Sequence, residues 1–231
     1  MSSNPTSTNE CTYCKKSFRS EKTLLAHSCK LKMRDQSRDE PASQFAFEAY
    51  KKFYQLSQGP GIKTWMQFCE SPYYTAFVKF GRHVRAINAI NPALFADWVI
   101  KKKTDKLDHW CSEDIYNEYL VQLIYNESAE SAIERSFYTM QDWGDQQGIS
   151  LEQYFFHAGP NRLTRDITNG AISPWLLYGT TMGQKALSEL SDEQMAYVIP
   201  FVEPNVWTSK LRQQPIDLDY VKMACEAAGI K

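Results

Sequence analysis

The sequence predicts a mostly α-helical protein, in which a small metal-dependent module at the N-terminus precedes an all-α domain. Three of the six cysteines lie within residues 11–29, a segment too short to bury a core of its own. Beyond residue 43, apolar residues recur at three- and four-residue spacing, and alternating runs of Val, Ile and Thr are scarce. We therefore predict four segments: a disordered leader at 1–10, the metal-dependent module at 11–30, a charged linker at 31–42 and an all-α helical domain at 43–231.

The linker and the first body helix follow from composition and spacing. Residues 30–42 are charged and end near Pro41, which is typical of a linker or of a charged helical extension. The first body helix is expected to run up to the stop Gly59-Pro60-Gly61. Its apolar face is largely aromatic and consists of Phe47, Tyr50, Phe53, Tyr54 and Leu56.

Later helices are predicted from capping residues and apolar stripes. One stripe consists of Ile115, Tyr119 and Leu123, and another of Ala129, Ile133, Phe137 and Met140. Helix starts are expected at four serines, two of which are followed by a capping-box glutamine: Ser112, Ser150 with Gln153, Ser173 before Pro174, and Ser191 with Gln194. The prolines of the body are expected to separate these helices rather than to lie inside them.

A Cys-x-x-Cys pair opens the N-terminal module. Cys11 and Cys14 are followed by Phe18, Leu24 and His27. This segment resembles the C2H2-type zinc finger at every position up to the third ligand. The resemblance implies a ββα module that binds Zn²⁺ through two thiolates and an imidazole, with Phe18 and Leu24 as a small core. The binding free energy of the metal would then be the folding free energy of the finger.

The fourth ligand departs from the family, which places it three to five residues after the first His. Residues 31–33 are Leu, Lys and Met, so Cys29 is the nearest candidate. Two positions on an α-helix are about 200° apart, so His27 and Cys29 can share an ion only if the helix ends near His27. The alternatives are a three-ligand site completed by water or by a group from the body, and a segment that binds no metal.

The charge is distributed unevenly along the chain. The net charge is −1, yet residues 11–34 contain seven Lys or Arg residues and a single acidic residue, Glu21. Such a basic segment on an acidic body points to a polyanionic partner, while the alternative is simply a polar, solvated finger surface. The cations expected to contact nucleic-acid phosphates are Lys15, Lys16, Arg19, Lys22, Lys30 and Lys32.

Sequence-specific reading of bases is not expected from this finger. The helix register implied by the resemblance places Ser20, Lys22, Thr23 and Ala26 where family members face base edges, and Ser, Thr and Ala discriminate poorly between bases. A single finger also spans only about three base pairs. A further basic run follows at Lys101, Lys102, Lys103 and Lys106, which either extends a nucleic-acid track or is a solvated helix end.

The body contains a dense polar and aromatic stretch from Tyr154 to Trp175. His157 and Asp166 resemble a base and the group that orients it, but neither accompanies a nucleophile motif, and a buried polar network is the alternative. His109 and Cys111 repeat the spacing of the finger ligands without a Cys-x-x-Cys partner, which argues against a second metal site. We expect no catalytic residues and no enzymatic activity.

These observations favour a zinc-binding accessory protein whose finger contacts phosphates and whose helical body docks onto a larger protein assembly. The overall layout also resembles small zinc-finger proteins of tailed bacteriophages. A protein–protein adaptor that uses the finger as its docking surface is the second hypothesis, and an enzyme acting on nucleic acid through His157, Arg162, Arg165 and Asp166 is the third. With no long apolar stretch and no signal sequence, we expect a soluble intracellular protein without a membrane partner, in the host cytoplasm if the chain is viral.

Overall fold

The chain folds into helices that follow one two-stranded sheet near the N-terminus, which confirms the predicted fold class. The computed structural model describes residues 9–102 and 106–230. The chain forms two compact units, Met1–Tyr116 and Asn117–Lys231. Their boundary lies inside a continuous helix, α7 (Glu113–Asn126), within the segment that sequence analysis treated as a single helical domain.

The N-terminal module begins with a short antiparallel sheet. Strand β1 (Asn9–Glu10) pairs with strand β2 (Ser17–Phe18), and Asn9 lies opposite Phe18. The last two residues of the expected disordered leader therefore form a strand, because the tight loop that follows them brings β2 within pairing distance. Residues 1–8, the rest of that leader, lie outside the described residues.

Two short helices follow the sheet. Helix α1 (Glu21–Leu25) is capped at its N-terminus by Ser20, and helix α2 (Lys30–Gln36) covers much of the segment 31–42 that was expected to be a linker. The segment was expected to be either a linker or a charged helical extension, and in the structure it is the helical extension. The reason is local, because Lys, Leu, Met, Arg and Gln are all good helix formers.

The remaining helices of the first unit pack around an aromatic core. Helix α3 (Pro41–Gln58) ends before Gly59, which has a φ of 86°, as the predicted stop requires. Gly81 allows α5 (Tyr74–Ala86) to approach α3 closely, since a Cβ at this position would collide with the carbonyl oxygen of Ala42. The helices are α3 (Pro41–Gln58), α4 (Trp65–Glu70), α5 (Tyr74–Ala86) and α6 (Pro92–Lys102), followed by a 3₁₀ turn (Leu107–Cys111).

The core of the first unit consists of interlocking rings. Trp110 is 2% exposed and lies edge-on to Phe77 and Phe80. Tyr50 of the predicted aromatic face is buried. Leu56 of the same face is exposed, because it lies in the last turn of α3, where residues 55–58 are all exposed to solvent. Edge-to-face pairs of this kind add to the free energy gained by burial.

The second unit consists of the end of α7 and eight further helices in its described part. As predicted, Ser173 and Ser191 cap helices at their N-termini. In the predicted stripe of α8, Ala129, Ile133 and Met140 are buried. The helices are α8 (Ala129–Gln147), α9 (Tyr154–His157), α10 (Gly159–Thr168), α11 (Pro174–Gly179), α12 (Thr181–Ser188), α13 (Asp192–Val202), α14 (Pro204–Gln213) and α15 (Pro215–Ala227).

The predicted helix start at Ser150 is confirmed, because Ser150 is the N-cap of the 3₁₀ turn Leu151–Gln153, but its capping box and the expected position of Pro200 are wrong. Ser150 makes no capping bond, because its hydroxyl donates to Glu152 Oε1 at 2.5 Å and a 3₁₀ turn precedes α9. Pro200 lies inside α13 rather than between helices. Pro200 lacks the N–H that would donate to the preceding turn of α13. Because only two residues of the helix follow Pro200, the missing bond weakens only the end of the helix.

Among the described helices, none combines the length and the apolar character that are needed to span a membrane.

Candidate metal centre

The first half of the centre is the loop between the two strands. The Cys11 N–H donates to the Lys16 carbonyl and the Lys15 N–H donates to the Cys11 carbonyl, each at 2.9 Å. Lys15 has a φ of 58°, the left-handed conformation that such a tight loop requires. The loop thereby brings the thiols of Cys11 and Cys14 together, as expected of a Cys-x-x-Cys knuckle.

The second half comes from the break between α1 and α2. Helix α1 ends at Leu25, residues 27–29 are irregular, and Cys29 is the N-cap of α2 with extended backbone angles (φ −94°, ψ 112°). This confirms the expectation of a helix that ends close to His27. Because the chain leaves the helix there, the imidazole of His27 and the thiol of Cys29 point to the same place.

The four side chains form one compact cluster that can hold a metal ion. The ligand atoms of Cys11, Cys14, His27 and Cys29 all lie within 4.8 Å of one another, and Cys14 Sγ is 3.2 Å from His27 Nε2. In a tetrahedral site with Zn–S bonds of about 2.3 Å, neighbouring sulfurs are about 3.8 Å apart, so the donor set fits such an ion. It is the one cluster of this kind within residues 9–102 and 106–230.

The surroundings of the cluster support this arrangement. Cys11 and Cys29 are buried, and the ring of Phe18 lies 4.7 Å from the ring of His27. Leu24, the other core residue that the resemblance implies, is half-buried. With so little apolar surface to bury, the module depends for its stability on something besides its core.

The thiols also have perturbed acidity. The N–H of Cys14, assisted by that of Tyr13 and by the neighbouring thiols, lowers the pKa of Cys11 to about 7 despite some desolvation. The N–H of Lys16 acts in the same direction on Cys14, but desolvation and the thiols of Cys11 and Cys29 outweigh it and raise the pKa of Cys14. One thiolate therefore forms readily, and a second negative charge beside it requires a cation.

A set of free cations surrounds the centre. The six residues predicted to contact phosphates are all exposed, and none of them makes an ion pair within the described part of the chain. They lie on the knuckle, next to β2 and on α1 and α2: Lys15, Lys16, Arg19, Lys22, Lys30 and Lys32. The side chains can therefore reach a polyanion without first breaking an internal salt bridge.

The residues expected to face base edges are partly engaged elsewhere. Ser20 and Thr23 form a reciprocal capping box at the start of α1, and the Thr23 hydroxyl donates to the Ser20 carbonyl at 2.7 Å. Their polar groups stabilise the helix terminus.

Arg34 has a role that the sequence analysis missed. Its Nη1 donates to the Cys69 carbonyl at 2.5 Å, and its guanidinium lies 4.4 Å from the centre of the Tyr74 ring. Arg34 thus fixes α2 to the C-terminal end of α4 and the start of α5. No sequence signal distinguishes it from the other cations of the basic segment.

The polar stretch of the second unit is a buried network. The carboxylate of Asp166 accepts hydrogen bonds from Tyr154 Oη at 2.6 Å and from Arg162 Nε at 2.5 Å, while Arg165 is 3.8 Å away. Desolvation, together with the charge of Asp166, raises the pKa of Tyr154. His157 is exposed at the end of α9, so the partners that orient Asp166 are Tyr154 and Arg162.

Comparisons with known proteins find no match, whether with family models, with curated proteins or with solved structures.

Proposed function

We propose that this chain is a zinc-binding accessory protein that associates with nucleic acid. In this proposal the finger contacts phosphates, and the helical body docks onto a larger assembly without catalysing a reaction. The observation that carries the proposal is the Cys₃His cluster in a segment whose exposed cations make no ion pair with any residue that the structure describes. Three thiols and one imidazole form a donor set typical of structural zinc sites.

The charge distribution supports phosphate contact. A protein that neutralises phosphates releases condensed counterions, and each contact adds about 0.9 to the slope of log affinity against log salt concentration. Six exposed cations between residues 15 and 32, none of them ion-paired within the described residues, suffice for several such contacts. Low sequence specificity is expected, because the Ser20 and Thr23 hydroxyls already form the capping box of α1.

Exposed apolar residues on α15 support the docking of the body. Ile216, Tyr220 and Met223 follow one another at four- and three-residue spacing and are 84%, 37% and 65% exposed. A stripe of this kind on a helix is suited to packing against another helix.

A protein–protein adaptor is a second candidate, which a separate observation favours. Leu25 of α1 is 79% exposed and Met33 of α2 is 61% exposed, so the finger presents apolar as well as basic surface. Apolar side chains contribute more than lysines to protein interfaces.

The test starts from zinc content and then measures binding. Elemental analysis should find about one zinc per chain, and fluorescence anisotropy with labelled duplex and single-stranded oligonucleotides at about 50 and 200 mM salt should give a steep salt slope. Replacing four finger lysines by alanine should reduce the magnitude of that slope by up to about 3.6, at about 0.9 for each lost contact. The four residues are Lys15, Lys16, Lys30 and Lys32.

A charge-matched variant serves as the control. It removes four exposed cations elsewhere in the chain and should leave the slope unchanged: Arg85, Lys185, Arg212 and Lys222, each replaced by alanine. Absent or salt-insensitive binding would favour the adaptor. Zinc-free wild-type protein would refute the metal part of the proposal.

A further inference from the structure

A second binding feature belongs to the first unit and is lined by none of the four metal ligands. A groove of about 980 Å³ is formed by the end of α3, the start of α5, the end of α6 and the 3₁₀ turn that follows. Its volume is at the upper end of the range found for ligand sites, about 300–1,000 Å³. Its lining includes Phe53, Tyr54, Tyr73, Ile100, Lys106 and Trp110.

The lining of the groove is aromatic, and one ring is available for stacking. Tyr73 is 50% exposed, and its ring contacts no other aromatic ring or cation within the described residues. Phe53 and Tyr54 are half-buried and fixed edge-to-face at 5.4 Å. Trp110 is nearly fully buried, and its indole N–H finds no acceptor among the described residues. A buried donor without a partner is unfavourable unless a ligand or water accepts from it.

Cations border this aromatic surface. Lys63 Nζ lies 4.8 Å from the centre of the Tyr54 ring, and Lys106 lines the groove with an exposed side chain. Asp108 is the acidic lining residue, and its carboxylate is 3.8 Å from Lys79 Nζ, which offsets part of its charge. An apolar ligand would make no favourable electrostatic contact with Lys63 and Lys106. A ligand with flat rings and negative charges is complementary both to the aromatic lining and to these cations.

We propose that this groove binds unpaired bases of single-stranded nucleic acid, with a base stacked on Tyr73 and the adjoining phosphates near Lys63 and Lys106. This inference rests on the proposed function. Every base has a π-face, so stacking on an aromatic side chain tolerates any sequence. Bases of a duplex are already stacked on their neighbours, so the groove selects single strands. Finger and groove belong to the same compact unit, so one strand has contacts of both kinds within one folded body.

The test separates base stacking from phosphate contact. Zinc-loaded full-length protein is titrated with a labelled 15-nucleotide oligothymidylate and with an abasic oligonucleotide of equal length and charge. Oligothymidylate should bind about tenfold more tightly, since one stacked base is worth about 5- to 150-fold in affinity. Tyr73→Leu should remove most of this difference. The control Tyr138→Leu, at a 74% exposed position in the second unit, should keep it.

Each outcome is decisive. Equal binding of the two oligonucleotides to wild type overturns the groove site but leaves phosphate contact by the finger intact. An unchanged preference in Tyr73→Leu, with a wild-type circular dichroism spectrum, also overturns the groove site. No binding of either oligonucleotide overturns both proposals. In the finger variant lacking four lysines, affinity for both oligonucleotides should fall equally while the tenfold preference persists.

Discussion

Replacement of Arg34 tests whether the finger is fixed to the helical unit. Arg34→Ala removes a charged donor from the Cys69 carbonyl and a guanidinium from the face of Tyr74. A hydrogen bond from a charged donor contributes about 1.5–3 kcal/mol and a cation–π contact about 0.5–1 kcal/mol. The expected loss in the free energy of unfolding is therefore about 2–4 kcal/mol, to which the longer contact with the Ser71 carbonyl at 3.4 Å adds little.

The assay is differential scanning calorimetry of the zinc-loaded protein. For a unit of this size, such a loss lowers the melting temperature by about 10 °C. Arg38→Ala is the matched control, since the Arg38 guanidinium lies 5.9 Å from the Trp65 ring. It should cost less than about 1 kcal/mol. Zinc content should stay at the wild-type value in both variants, because neither residue is a ligand. Equal melting temperatures for Arg34→Ala and Arg38→Ala would refute the anchoring role.

Three further predictions concern the metal centre and the second unit. Cys29→Ser should lose its zinc under mild chelation, whereas the half-buried Cys111→Ser should retain about one zinc per chain; retention by both would place the fourth ligand elsewhere. Burial raises the pKa of Cys225 to about 11 from its ordinary 9.0, so ionisation opposes folding. The contribution of this thiol to the free energy of unfolding is complete below pH 9 and is lost as pH rises towards 11. Denaturant titrations should therefore show that the free energy of unfolding falls less steeply with alkaline pH in Cys225→Ala than in wild type. An identical fall in the two proteins would contradict this. Asp166→Asn should destabilise the second unit by about 2–4 kcal/mol by disrupting a buried charged network, whereas exposed His157→Ala should stay within about 0.5 kcal/mol, as thermal unfolding of each variant can check.

The features that sequence analysis predicted correctly are those fixed by local chemistry. The helix caps at Ser173 and Ser191 depend on residues three positions apart or fewer. The positioning of Cys29 beside His27 followed from helix geometry, because residues two positions apart on a continuous helix point to opposite sides and cannot share an ion. The helix caps and the position of Cys29 can therefore be predicted from the neighbouring sequence alone.

Features that depend on tertiary contacts could not be predicted in the same way. Arg34 is chemically equivalent to the other cations of the basic segment until α4 and α5 place a carbonyl and a ring beside it. The sequence around Asp166 does not show whether His157 or Tyr154 is its hydrogen-bond partner. Only the tertiary structure shows that Tyr154 of α9 donates to Asp166 of α10. The boundary between the two units lies within a continuous helix, so no proline, glycine or change in composition marks it.

The position of Cys29 links the metal centre to the surface that we propose for phosphate contact. Cys29 is both a candidate ligand and the N-cap of α2, and Arg34 anchors the same helix about five residues later. An α-helix rises about 1.5 Å per residue, so the two anchors are only about 8 Å apart along its axis. Lys30 and Lys32 lie between them, on backbone held at both ends. A partner that contacts these lysines therefore needs to order only their side chains, which lowers the entropic cost of binding relative to a finger on a flexible tether.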